Sequence, residues 1–125
     1  MKSRLFQTQL IVKKSNLHGY GVFALKDLRK GTLIEECYII VCRGTDKNLD
    51  DFYFDARGKN VILTGFGLLY NHSDEPNADY TIRLTNRLAT IKADRKIYAG
   101  EEIFISYGDD WFESRGLKAK HLKDA

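Results

Sequence analysis

Apolar and polar positions alternate along most of this chain in short runs, and Gly, Asn or Asp separate one run from the next. Period-two alternation with β-branched and aromatic residues predicts strands over 10–13, 21–25, 32–36, 38–42, 61–64, 80–84, 88–92 and 102–107. Thr85-Asn86-Arg87 suits a tight hairpin between the sixth and seventh of these. Gly31 and Gly100 mark turns where strands begin. Sustained 3.6-residue periodicity is missing except in the tail from Trp111 onward, and a single helical turn is expected around 67–70. The pattern predicts a mostly-β domain of short strands and long loops, with no internal repeat and no linker.

Composition narrows the class. At 125 residues with 43% hydrophobic and 12% aromatic content, the chain suits one domain with its own core. No run approaches the ~18 apolar residues of a membrane span. The opening MKSRLFQTQL lacks the apolar core and cleavage site of a signal peptide, so an intracellular protein is expected. Cys37 and Cys42 are too few for a disulfide framework or a structural zinc site, and no metal is expected. The net charge of +3 is unevenly spread: residues 1–14 hold four Lys/Arg and no acid, and 113–125 hold four Lys/Arg and two acids. The body, 15–112, carries 12 basic and 15 acidic residues. A nucleic-acid binder would carry its basic excess on the body, so a cationic partner is favoured over an anionic one.

Three polar clusters interrupt the strand pattern. Asn16-Leu17-His18-Gly19-Tyr20-Gly21 carries two glycines one residue apart, which let a backbone turn and approach a ligand closely. No third glycine and no following helix are present, so this is not a dinucleotide fingerprint; a plain β-turn is the simplest reading of the cluster alone. The run from Gly65 to Asn77 ends its apolar part in Asn71-His72-Ser73, followed by acids and the only proline. Alone it reads as an Asx- or Ser-capped turn. The third, 100–111, sets Ile103, Ile105 and Tyr107 on one strand face, with Tyr107 before a glycine. A half-buried core tyrosine with a wet hydroxyl is the usual reading there.

In this order the clusters are far more specific. GYGVFA at 19–24, KGT at 30–32, GLLYNHSDEPNA at 67–78 and AGEEIFISYG at 99–108 resemble the SET-domain protein-lysine methyltransferases. The resemblance runs over 10–111 and looks most like the small stand-alone SET proteins of viruses and bacteria, with a short basic tail at 112–125. It implies a fold of small sheets with a pseudoknot near the active site, S-adenosylmethionine on one side, and a narrow lysine channel from the other. Carried over by residue, His18, Gly19, Tyr20 and Gly21 wrap the cofactor, Asn71 holds its amino group and the His72 backbone its adenine. Tyr107 matches the catalytic tyrosine and touches the cofactor.

Departures from the family pattern mark the channel. The segment Asp51-Phe52-Tyr53-Phe54 has Phe52 where relatives often place tyrosine, with Tyr53 one position later. A one-residue step reverses the face of a strand, so either Phe52 lines the channel or a register slip presents Tyr53. Tyr80 stands where a tyrosine in relatives limits methyl number, and Ile105 where many chromatin enzymes carry Phe or Tyr. Mono- or dimethylation is the expectation. Without a zinc-bound lid, Trp111 or a second subunit of a homodimer is expected to close the site. The expected substrate is a lysine-containing protein such as a histone tail, reached in the cytoplasm, or in the nucleus if it is chromatin. The alternative is a catalytically silent SET module that binds a lysine peptide or dimerises. Direct nucleic-acid and membrane binding are not expected.

Overall fold

The computed structural model describes residues 4–107. Nine strands appear in chain order: β1 (Leu10–Lys14), β2 (Tyr20–Ala24), β3 (Leu33–Cys42), β4 (Phe54–Ala56), β5 (Lys59–Leu63), β6 (Asn71–His72), β7 (Ala78–Arg83), β8 (Leu88–Ala93) and β9 (Glu102–Ile105). Two 3-10 turns complete them, η1 (Lys47–Phe52) and η2 (Gly65–Leu68). Among the described residues no helix is long and apolar enough to cross a membrane.

The strands form two sheets, ordered β1-β2-β9-β6 and β4-β5-β3-β8-β7. Every pair is antiparallel except β6 with β9. Short loops explain the antiparallel hairpins, because two to five residues can only reverse a chain. The expected hairpin is present: β7 and β8 pair from Ala78↔Ala93 to Arg83↔Leu88, with Arg87 in the left-handed region at φ 57°. Although β4 and β7 lie at opposite edges of the second sheet, Phe54 and Tyr80 meet edge to face at 5.1 Å between centroids. The sheet therefore curls until its edges approach, which removes much of the liability of open edges.

Where two strands are expected over 32–36 and 38–42, one continuous β3 runs through both. Leu33 faces Lys92 and Glu35 faces Ile91, so β3 holds one extra residue there. This bulge shifts the alternation. As a result Ile34 is buried next to Glu35, which keeps its regular place on the inner face with Cys37 and Ile39. The N-terminal segment covers the place: Thr8 N–H donates to Ile34 O, Glu36 N–H to Phe6 O, and Phe6 N–H to the Glu36 carboxylate at 3.0 Å. The core between the sheets is built from Val22, Ile39, Leu63, Ile91, Ile103 and Ile105, all sealed from solvent.

Strands β4 and β6 and turn η1 are not among the predicted elements. At two and three residues, β6 and β4 are too short for periodicity to register. Turn η1 is instead set by its cap, Asp46 accepting from Asn48 N–H at 2.8 Å. The expected turn at 67–70 is η2, two residues earlier.

Turn η2 packs without slack on the core. A Cβ at Gly67 would lie 2.5 Å from Leu63 Cβ and 3.1 Å from Cys37 Sγ. Gly67→Ala should cost about 1–3 kcal/mol by overpacking, read as a lower urea midpoint with unchanged slope. An unchanged midpoint would show that η2 can lift off the core.

Candidate functional site

Two asparagines bring β6, β9 and the glycine loop to one place. Asn77, 2% exposed, receives Phe104 N–H on Oδ1 at 2.7 Å and donates from Nδ2 to Glu102 O at 2.8 Å. Its side-chain amide thus stands in for one peptide unit of a neighbouring strand. Beside it, Asn71 pairs with Phe104 and His72 with Ile105, and Ser73 N–H donates to Ile105 O at 3.1 Å. Segment 71–77 therefore clasps β9 on both sides of its backbone.

Asn71 then reaches across to the glycine loop. Its Nδ2 lies 3.0 Å from His18 O, 3.2 Å from Tyr20 O and 2.8 Å from Glu102 Oε2. Three acceptors around one atom fix the amide orientation, leaving Oδ1 with no donor among the described residues. Glu102 also receives the Ser15 hydroxyl at 2.6 Å, while Ser15 Oγ accepts Leu17 N–H at 3.0 Å. At Gly21 a side chain has no space: a Cβ would overlap the Glu102 carboxylate and come within 3.0 Å of Asn71 Nδ2. The second glycine is thus required by close approach.

A cleft of about 200 Å³ opens between this loop and the segments carrying Phe52 and Leu69, and it is lined by His18, Gly19, Tyr20, Asn71 and Tyr107. Within the loop, His18 Nδ1 is buried without a hydrogen-bond partner among the described residues. An unpaired buried nitrogen carries a desolvation cost of about 1–3 kcal/mol, which a bound ligand would relieve.

Tyr107 is held at three points. Its N–H donates to His72 Nδ1 at 2.9 Å, which places the imidazole proton on Nε2, 2.9 Å from Asp74 Oδ1. Its hydroxyl donates to Tyr70 O at 2.7 Å. Its ring meets Phe54 edge to face at 6.1 Å. Burial, followed by the charges of Asp51 and Glu102, pushes the phenol up to about 12. The hydroxyl is therefore a neutral group at physiological pH, fixed in direction.

From Tyr107 the rings of Phe54 and Tyr80 continue in sequence, and a gap of about 10 Å³ lies between Tyr107, Tyr70, Phe52, Phe54 and Leu68. Burial, with Asp79 and Asp55 nearby, raises the Tyr80 phenol as well. Phe52 lines both the gap and the cleft. Tyr53 turns away, and its hydroxyl accepts Asp46 N–H at 2.7 Å. Ile105 is fully buried in the core. Tyr20 exposes 61% of its surface at the rim of the cleft. Trp111 and the tail 112–125 lie outside the described residues.

Sequence reasoning missed Phe54, Asp51, Leu68, Leu69, Glu102, Ser15 and Asn77. The signal for Phe54 was available in its alternation with Phe52, two residues earlier. Asn77 lies within the GLLYNHSDEPNA motif, whereas Ser15 had no signal, because a capping polar residue looks like any loop residue.

The comparisons agree with this geometry. A family model of the SET domain matches residues 19–108. A curated histone-lysine N-methyltransferase from Schizosaccharomyces pombe, specific for histone H3 lysine 37, is 28% identical over 131 residues, covering 98% of this chain and 89% of its own. A crystal structure of a Plasmodium falciparum protein put forward as a histone methyltransferase superposes with TM-score 0.75 at 34% identity, over 85% of this chain and 98% of its own. The inhibitor-bound, humanized Polycomb Repressive Complex 2 of Chaetomium thermophilum matches 83% of this chain and 15% of its own, with TM-score 0.65 and 23% identity, a likeness of fold alone. The class defined by these sheets and this clasp is that of the small SET domains. The chain belongs to the SET-domain family, whose activity is protein-lysine methylation.

Asn71→Asp tests the clasp. It sets a carboxylate oxygen against two carbonyls and Glu102, and should cost about 1–3 kcal/mol in thermal or urea unfolding. Adding Glu102→Gln should recover part of the loss. No recovery would mean that Glu102 does not bear on the amide.

Proposed function

We propose that the protein transfers a methyl group from S-adenosylmethionine to a lysine side chain on a basic protein segment such as a histone tail. The observation that carries this reading is the Tyr107 hydroxyl, held by Tyr70 O at the meeting of an open polar cleft and a narrow aromatic gap. The relatives named for histone-lysine methylation support the substrate class.

The residues fit the cofactor. Asn71 Oδ1 has no donor among the described residues and is suited to an ammonium group. The buried His18 Nδ1 asks for a partner in the same loop. Gly19 turns the loop at φ 48° and Gly21 keeps it close, and Asp51 and Glu102 lend negative charge to a site for a cation. When bound, S-adenosylmethionine supplies a methyl group on a sulfonium, an electrophile suited to in-line displacement by an amine.

The chain's own residues prepare the amine. Free lysine has a pKa of about 10.4, so roughly 1 in 2,500 is neutral at pH 7. The narrow gap beside Phe52 and Phe54, with Tyr80 packed on Phe54, withdraws water and disfavours the ammonium form. Lowering the pKa by about 3 units corresponds to about 4 kcal/mol. Because Tyr107 spends its proton on Tyr70 O, its oxygen offers only lone pairs, and it can accept an amine N–H. That contact fixes the nitrogen without Tyr107 acting as a base. Alignment and exclusion of water then supply most of the rate. Around the site Asp51, Asp55, Asp74, Glu75 and Asp79 are exposed and favour the approach of a basic segment.

Incubation with radiolabelled S-adenosylmethionine and core histones should label a histone, and Tyr107→Phe should lower the rate by at least tenfold. Asn71→Ala should weaken cofactor affinity in calorimetry. No labelling of any protein together with no cofactor binding would overturn the reading.

The pH profile gives a second test. With the Tyr107 phenol near 12, no titration of Tyr107 intervenes at working pH. The rate should rise about tenfold per pH unit, as the lysine deprotonates, and level off only at the lysine's own effective pKa. An inflection between pH 7 and 9 that disappears in Tyr107→Phe would show Tyr107 acting as a base.

A further inference from the structure

One strongly buried carboxylate lies under the site, and no step described so far uses it. Glu35, 2% exposed, faces the core from β3. Its Oε1 receives the Tyr70 hydroxyl at 2.7 Å, and its Oε2 receives Phe66 N–H at 3.0 Å and Gln7 Nε2 at 2.9 Å. Burial of an ion without such partners would be prohibitive, and three donors on two oxygens give it the required satisfaction. At Gly65, φ is 65° and a Cβ would come within 2.6 Å of Glu35 Oε2, so the chain is shaped to let the carboxylate in.

The two groups it grips bracket one stretch of chain. Phe66 N–H belongs to the start of η2, and Tyr70 ends the segment 65–70. Between them Leu68 and Leu69 line the cleft, and Gly67 and Leu68 border the gap. The backbone carbonyl of Tyr70 is the acceptor of the Tyr107 hydroxyl proton. We propose that Glu35 is the positioning residue of the active site: by fixing both ends of segment 65–70 it sets the Tyr70 carbonyl, and through that carbonyl the direction of the Tyr107 lone pairs offered to the substrate amine. The proposal rests on the methyltransferase reading above.

A core polar network could serve stability alone, so geometry alone does not distinguish the two roles. The difference is coupling to Tyr107. A positioning carboxylate acts on turnover only while Tyr107 has a hydroxyl to aim. A purely structural one lowers activity equally with or without that hydroxyl.

The experiment is a double-mutant cycle on methyl transfer to histone, using the full chain. Glu35→Gln is nearly isosteric, and in it one carboxylate oxygen becomes a donor facing groups that donate. It should lower kcat tenfold or more, with the KM for histone and the calorimetric Kd for S-adenosylmethionine within about twofold of the parent. In a Tyr107→Phe background the same change should lower kcat by less than twofold. Tyr70→Phe removes only the phenol and should reproduce the kcat effect more weakly. It serves as the test variant if circular dichroism and melting show that Glu35→Gln does not fold. Equal losses from Glu35→Gln in both backgrounds, or a loss carried by KM or Kd, would overturn the proposal. Because the parent enzyme is assayed alongside, an inactive parent would indict the methyltransferase reading instead.

Discussion

The structure turns on the clasp that segment 71–77 closes around β9. Asn77 supplies the hydrogen bonds of a missing strand, and β6 supplies a parallel neighbour only two residues long. Parallel pairing demands a long connection between its strands, here 29 residues that include the β7–β8 hairpin. Removing the Asn77 amide would leave Phe104 N–H and Glu102 O unpaired in the interior, at about 1–3 kcal/mol each. Without that clasp Asn71 would not reach the glycine loop, and Tyr107 would not lie over Tyr70. The loop from Ser15, the cleft and the placement of the Tyr107 hydroxyl are therefore consequences of one local piece of hydrogen bonding.

The second constraint is closure of the five-stranded sheet. Its edge strands β4 and β7 approach until Phe54 touches Tyr80, and Phe54 also touches Tyr107. An aromatic wall is thereby built from three segments that lie far apart in sequence. Apolar walls of this kind are what a channel needs to hold an amine in its neutral form. The polar cleft and the aromatic gap share Asp51, Phe52, Leu68 and Tyr107 as a common boundary. A polar cleft and an aromatic gap meet there, with the Asp51 carboxylate on the boundary of both.

Much of this is legible in the sequence. Alternation identifies β1, β2, β5, β7, β8 and β9 within a residue or two, and the resemblance carried by the polar clusters brings His18–Gly21, Asn71–His72 and Tyr107 to one site. What escapes is set by other physics. The bulge in β3 is invisible to a period-two pattern, because it consists in breaking that pattern. Yet counting back from Ile39 and Cys37 already puts Glu35 on the inward face, and that signal was there to be used. The choice between Phe52 and Tyr53 could not be made from the strand pattern, because η1 runs through Phe52. The structure buries Tyr53 with its hydroxyl on Asp46 N–H and leaves Phe52 to line the cleft and the gap.

Glu35 also shows how the core and the site share one electrostatic environment. Burial, with Glu35 alongside, raises both the Tyr70 phenol and the Cys37 thiol. Both groups are therefore held protonated, and Tyr70 in particular must donate toward the carboxylate. Raised acids of this kind lend stability that is fully present below their unfolded values, about 8.5 for the thiol and 10 for the phenol. That stability is lost only as the pH climbs beyond them. The core beneath the site therefore keeps its protonation state through neutral pH.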